Sequence, residues 1–240
     1  MTILEMLKRA FVTRLCILCY EEAVDYNRKY PICDDCIKYW INHSDLLCPK
    51  CGYDAEYCTC TKGRNLNKTD MLIFATFYQS GSNNPINKIV YRLKRDYNRE
   101  VFLFCAEVMK EKTVKIFKKH NMSYDDYVVT FAPRRKDSII RYGYDHSEEI
   151  AKYFAQKLGL KEFKTLKNIG KKEQKQLDKV RRLENAKKSY EFISSADVKN
   201  KKVFLIDDVI TSGSTINVCA NILKENGASI VIPVCYAKDI

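Results

Sequence analysis

Residues 203–206 read Val-Phe-Leu-Ile and run straight into Asp207 and Asp208, then Val209, Ile210 and the hydroxyl-rich Thr211, Ser212, Gly213, Ser214, Thr215. An uninterrupted apolar run of this length suits a strand covered on both faces, as in a parallel sheet. Open α/β sheets bind ligands at the carboxyl ends of such strands. Two adjacent carboxylates there can accept hydrogen bonds from vicinal sugar hydroxyls and sit near a divalent cation. Gly213 lets backbone come close to a phosphate, and the helix expected from 215 turns its amides and positive dipole end to the anion. Each part has a plainer reading alone. Ser214 or Thr215 makes an ordinary N-cap, and two aspartates can simply lie on a surface. The joint pattern specifies a phosphate site, and it is not a Walker loop, because the Gly-Lys-Ser/Thr ending is absent.

The surrounding chain alternates helical and strand patterns. Ile86, Ile89, Val90 and Leu93 fall on one helical face, flanked by Lys88, Arg92, Lys94 and Arg95. Residues 101–119 form a second helix, and 127–132 a β-rich run closed by Pro133. Residues 147–158 are helical and stop at Gly159, 215–225 are helical, and 229–235 form a second buried strand. Strand, helix and strand with short links make a βαβ unit. Segment 161–202 departs from this pattern, with 14 Lys or Arg against 6 Asp or Glu. It reads as a basic, flexible excursion above the sheet or as a solvated helical hairpin.

Eight of the eleven cysteines fall between Cys16 and Cys60. Cys105, Cys219 and Cys235 stand among apolar neighbours and read as small core residues. No apolar run approaches the roughly 18 residues of a membrane span, and residues 1–15 lack the unbroken apolar stretch of a secretory signal. The chain is therefore expected inside the cell, where metal ligation explains clustered cysteines better than disulfides do. Cys16-x-x-Cys19 and Cys33-x-x-Cys36 supply one tetrahedral set; Cys48-x-x-Cys51 and Cys58-x-Cys60 supply a second. A cross-braced pairing stays open. Zinc is the expected ion, with a structural role, because about 50 residues hold too little core without metal. Tyr20, Tyr26, Tyr30, Tyr39, Trp40, Tyr53 and Tyr57 lie in or beside this module and either pack on the main body or stack bases. The net charge of +12 favours polyanionic partners or simply keeps the chain soluble. His43, His120 and His146 stand apart at no metal or triad spacing, so none is given a catalytic role.

The thirteen residues from Val203 to Thr215 resemble the 5-phosphoribosyl 1-pyrophosphate (PRPP) motif of type I phosphoribosyltransferases. The resemblance implies that Asp207 and Asp208 bind the ribose hydroxyls. It implies that Thr211, Ser212, Gly213, Ser214 and Thr215 bind the 5′-phosphate, with Mg²⁺ held largely by the ligand. Three further stretches are similar to the ComF family of competence proteins, ComFC above all. They are the cysteine-rich start, the run from Pro133 through Arg134, Arg135 and Lys136 to Tyr142-Gly143-Tyr144-Asp145-His146, and Gln174, Leu177, Arg182 and Asn185 in the basic segment. The second match is partial, since Tyr142 stands where that family has arginine. Arg134 and Arg135 are expected to face the pyrophosphate, and Arg182 to close over it.

The fold expected is therefore α/β: a type I phosphoribosyltransferase domain with a Rossmann-like parallel sheet and a small N-terminal zinc-ribbon module. The boundaries are an N-terminal helix over 1–15, a double zinc ribbon over 16–69, and the phosphoribosyltransferase-like domain over 70–240. The resemblance implies a competence protein that binds PRPP and single-stranded DNA and handles transforming DNA in the cytoplasm. A DNA-uptake helicase or inner-membrane uptake machinery would be its partner, with peripheral association at that membrane. The other reading is a metabolic phosphoribosyltransferase, a pentosyl-transferring enzyme acting on a nucleobase or amine. Whether PRPP is substrate or effector stays open at this stage.

Overall fold

The computed structural model describes residues 14–23, 29–44, 66, 68–78, 81, 83–170, 189–193 and 197–239. Helices and strands are numbered here in chain order: α1 (Asp34–Ser44), β1 (Ile73–Tyr78), α2 (Pro85–Arg95), α3 (Arg99–Lys119), β2 (Tyr127–Phe131), α4 (Lys136–Tyr142), α5 (His146–Leu158), β3 (Lys161–Glu162), β4 (Leu166–Asn168), β5 (Tyr190–Phe192), β6 (Lys202–Ile210), α6 (Ser214–Glu225) and β7 (Ile230–Asp239).

Five strands form one sheet in the order β1-β7-β6-β2-β3, and every neighbouring pair is parallel. β4 and β5 form a separate antiparallel pair. Along β6 the side chains alternate, as a pleated strand requires. Phe204 and Ile206 enter the core shared with α3 and α5, whereas Val203 and Leu205 enter the core under α6. Phe204 stacks on Tyr127 at 4.4 Å between ring centres and meets Phe117 and Phe154 edge-on. Helices thus cover both faces of the sheet, as the hydrophobic run at 203–206 requires. Cys105, Cys219 and Cys235 are fully buried in these cores, as expected.

The helix starts have local causes. Asn84 caps α2 by accepting from the Asn87 N–H at 2.8 Å, with Pro85 at the first helical position. Asn98 caps α3, and Gly159 ends α5 with φ of 69°.

The N-terminal cysteine segment is docked on this body. Ile17, Leu18 and Trp40 belong to the same buried cluster as α3 and α5. Trp40 meets Phe104 at 5.1 Å and stacks on Tyr236 at 5.9 Å. The Tyr30 hydroxyl donates to the Leu103 carbonyl at 3.2 Å, and Glu107 of α3 takes Lys29 from the segment and Lys157 from α5. Arg92 of α2 is buried, donates to the Cys16 carbonyl at 3.2 Å and lies 3.4 Å over the Tyr20 ring. Tyr30 and Trp40 thus pack on the body, whereas Tyr20 stays exposed beside Arg92. The expected helix over 1–15 falls, apart from residues 14 and 15, outside the described residues, as do Tyr26, Tyr53 and Tyr57.

Candidate functional site: an acid pair at the sheet's switch point

From β2 the chain passes to β3 on one side, and from β6 through α6 to β7 on the other. β2 and β6 are neighbours, so the crevice beyond their carboxyl ends is the point where the winding reverses, the usual ligand position in such sheets. Three loops or helix starts meet there: residues 132–135 after β2, the start of α5, and residues 211–213 after β6.

Strand β6 runs past the expected 203–206 to Ile210, so the acid pair lies inside the strand rather than at its end. Asp208 is buried and Asp207 is half-buried. The pleat sends Asp207 to the Leu205 side and Asp208 to the Ile206 side. Even so, carboxylate oxygens of both converge with a nitrogen of His146, all within 4.8 Å of one another. His146 Nε2 lies 3.1 Å from Asp208 Oδ2, and Lys94 Nζ reaches the same oxygen at 3.3 Å. Ser147 donates its hydroxyl to Asp207 Oδ1 at 3.3 Å.

The two carboxyls are electrostatically unequal. Burial and the neighbouring Asp208 charge push Asp207 well above the usual carboxylate range. Burial acts on Asp208 in the same direction, but the His146 ring and Lys94 outweigh it and hold Asp208 well below that range.

Asp145 organises the approach. One of its oxygens caps α5 by accepting from the Ser147 N–H at 3.1 Å; the other accepts from the Arg134 N–H at 2.7 Å. Arg134 is thereby tied through Asp145 and Ser147 to Asp207. Its Nη1 is buried without a hydrogen-bond partner. Arg135 is turned along its own helix, 3.3 Å from Asp137, and no described contact brings it to the acid pair.

The hydroxyl loop has the anticipated form. Gly213 adopts φ of 76° and precedes α6, and Ser212 and Ser214 share a hydrogen bond of 3.0 Å. A Cβ at residue 213 would meet the Leu66 side chain at 3.0 Å, and the positive φ calls for glycine whatever the space. Thr211 and Ser212 are exposed, and Ser214 and Thr215 are partly so.

A second centre lies in the N-terminal segment. Cys16, Cys19, Cys33 and Cys36 bring their sulfurs within 4.8 Å of one another, all as free thiols. Cys19 and Cys33 sulfurs are 3.5 Å apart. A tetrahedral zinc with bonds of about 2.3 Å separates its sulfurs by about 3.8 Å, so the donor set fits zinc. Burial raises the Cys19 thiol to about 11. Cys16 stands lower than usual in spite of burial, because backbone N–H groups stabilise its thiolate, the Leu18 amide at 3.4 Å among them. Cys48, Cys51, Cys58 and Cys60 lie outside the described residues, as do Gln174, Leu177, Arg182 and Asn185.

Sequence reasoning gave no role at the acid pair to His146, Ser147 or Lys94. The signal for the first two was the helix start at Asp145, which aims the first turn of α5 at the crevice. Lys94 gave no such signal, since it reads as one more cation on a solvated helix.

Residues 145–239 match the family described as phosphoribosyl transferase domain. The match begins at the α5 cap and covers the acid pair, the hydroxyl loop and β7. Over a longer stretch the chain is similar to the DNA utilization protein YhgH of Salmonella typhimurium. That relative is 24% identical over 214 residues, 87% of this chain and 91% of the relative. Among solved structures, phosphoribosylpyrophosphate synthetase from Mycobacterium smegmatis aligns with a TM-score of 0.34 and 24% identity, covering 54% of this chain and 33% of that one. Purine phosphoribosyltransferase from Pyrococcus horikoshii Ot3 aligns with a TM-score of 0.32 and 16% identity, over 56% and 73%. The parallel α/β sheet is that of the type I phosphoribosyltransferases. No described helix is long and apolar enough to cross a membrane.

Proposed function

We propose that the chain binds PRPP in the crevice beyond β6 and β2 and, as a ComF-like protein, handles single-stranded DNA in the cytoplasm. The observation that carries the PRPP half is the convergence of the acid pair, the hydroxyl loop and Arg134 at the switch point. Asp207 and Asp208 accept from the ribose hydroxyls. Residues 211–215 and the amino end of α6 hold the 5′-phosphate. The unpartnered Nη1 of Arg134 supplies a donor to the pyrophosphate, and Arg135 adds charge nearby. Mg²⁺ enters with PRPP on ligand oxygens. Zinc, held by Cys16, Cys19, Cys33 and Cys36 and in a second set by Cys48, Cys51, Cys58 and Cys60, keeps the module folded.

The relative named for DNA utilization supports the DNA half, as does the +12 charge. A DNA-uptake helicase or inner-membrane uptake machinery is the partner class this reading implies. A second reading, transfer of ribose 5-phosphate to a nucleobase or amine, is favoured by the family match over 145–239.

The test is calorimetry of PRPP with Mg²⁺, alone and after single-stranded DNA is added. Saturable PRPP binding that Asp207→Ala together with Asp208→Ala abolishes is the expected result. Binding indifferent to that double substitution would overturn the site. Pyrophosphate release with one of a panel of bases would select the transferase reading.

A further inference from the structure

His146 lies at the acid pair, with Nε2 3.1 Å from Asp208 Oδ2. We propose that His146, Asp207 and Asp208 form a metal site of the protein itself, seating a first-row divalent ion of the Mn²⁺ kind before any phosphorylated ligand arrives. The site shares Asp207 and Asp208 with the PRPP reading, and its ion is distinct from the Mg²⁺ that travels with that ligand.

Three observations carry it. The donor atoms of all three residues lie within 4.8 Å of one another, and His146 Nε2 and Asp208 Oδ2 are 3.1 Å apart. Two cis ligands of an octahedral ion with bonds of about 2.1 Å stand about 3 Å apart. Asp208 Oδ2 is buried and receives no aligned hydrogen bond, although His146 Nε2 and Lys94 Nζ both crowd it. That oxygen faces the imidazole and is paired with the Lys94 ammonium, which an entering ion would replace. Lys94 places its ammonium against the same oxygen, so the position already takes positive charge. Its side chain is 44% exposed and can swing away when a divalent ion enters.

The donor set decides the class of ion. Mg²⁺ and Ca²⁺ prefer oxygen alone, whereas imidazole nitrogen favours transition ions. Two carboxylates and one imidazole leave coordination positions for water or for ligand oxygens. The Ser147 hydroxyl donates to Asp207 Oδ1 at 3.3 Å and keeps that carboxylate oriented toward the ion.

The probe is Mn²⁺ alone, added to zinc-replete full-length protein without PRPP and followed by electron paramagnetic resonance. One bound Mn²⁺ per chain is expected, with imidazole nitrogen coupling in its spin-echo modulation. His146→Gln should remove that coupling and weaken Mn²⁺ at least tenfold, while Mg²⁺ affinity changes less than threefold. If His146→Gln or Asp208→Asn fails to melt cooperatively, the nitrogen coupling in the wild type decides alone. No saturable Mn²⁺, or bound Mn²⁺ without nitrogen coupling, would overturn the proposal.

Discussion

Asp207 and Asp208 differ by one position and by nearly everything around them. Asp208 is buried against His146 and Lys94, whereas Asp207 keeps part of its surface open. The substitutions should separate accordingly. Asp207→Ala removes charge-assisted bonds to the ligand, about 1.5–3 kcal/mol, and leaves the melting temperature close to wild type. Asp208→Ala also leaves His146 and Lys94 without their carboxylate partner beside a buried gap and should destabilise the fold by about 1–3 kcal/mol. Thermal melts of the two single variants check this, and equal midpoints would contradict the asymmetry. The sequence alone favoured treating both carboxylates as open, because a strand was expected to end at Ile206. Nothing in a run of letters marks β6 as continuing through two charged residues; the pairing with β7, from Lys202 to Ile210, does. Gly213 belongs to the legible part. Its place in the motif called for freedom at φ, and Gly213→Ala should weaken ligand binding and stability together through the 76° dihedral and the Leu66 contact.

Among elements, the strongly periodic ones were readable. Helices α2, α3, α5 and α6 and strand β2 fall within two residues of the expected positions. What joins the elements was not readable, since it depends on contacts between distant segments. Glu107 is the clearest instance. Burial raises its carboxyl, but Lys157 and Lys29 more than offset that and hold it at about 2, against 4.5 for a free glutamate. A folded-state value below the unfolded one stabilises the fold above about pH 4.5 and is lost as pH falls toward about 2. Glu107→Gln should therefore cost about 1.5–3 kcal/mol at pH 7 and flatten the acid limb of the stability curve between those values. Urea titrations at pH 7 and pH 3 measure both. A variant whose loss is the same at both pH values would show that the carboxylate's charge contributes nothing to docking.

For the whole molecule, the cysteine count and the charge set the expectations. Elemental analysis of dialysed protein should give two zinc ions per chain; a clean value of one would remove the set at Cys48, Cys51, Cys58 and Cys60. Reversing the charge of several lysines in 161–202 should weaken single-stranded DNA and flatten the dependence of log affinity on log salt, without abolishing PRPP binding. Filter binding across a salt series checks it. The seating of the cysteine segment on the α/β body has a practical consequence. Trp40 is the single tryptophan of the chain, and it sits between Phe104 and Tyr236 at that seam. Its fluorescence comes from one place and reports one event, the parting of module and body. A chelator that strips the thiolates should move that emission to longer wavelength before the sheet itself unravels, so the protein carries its own optical gauge of metal loading.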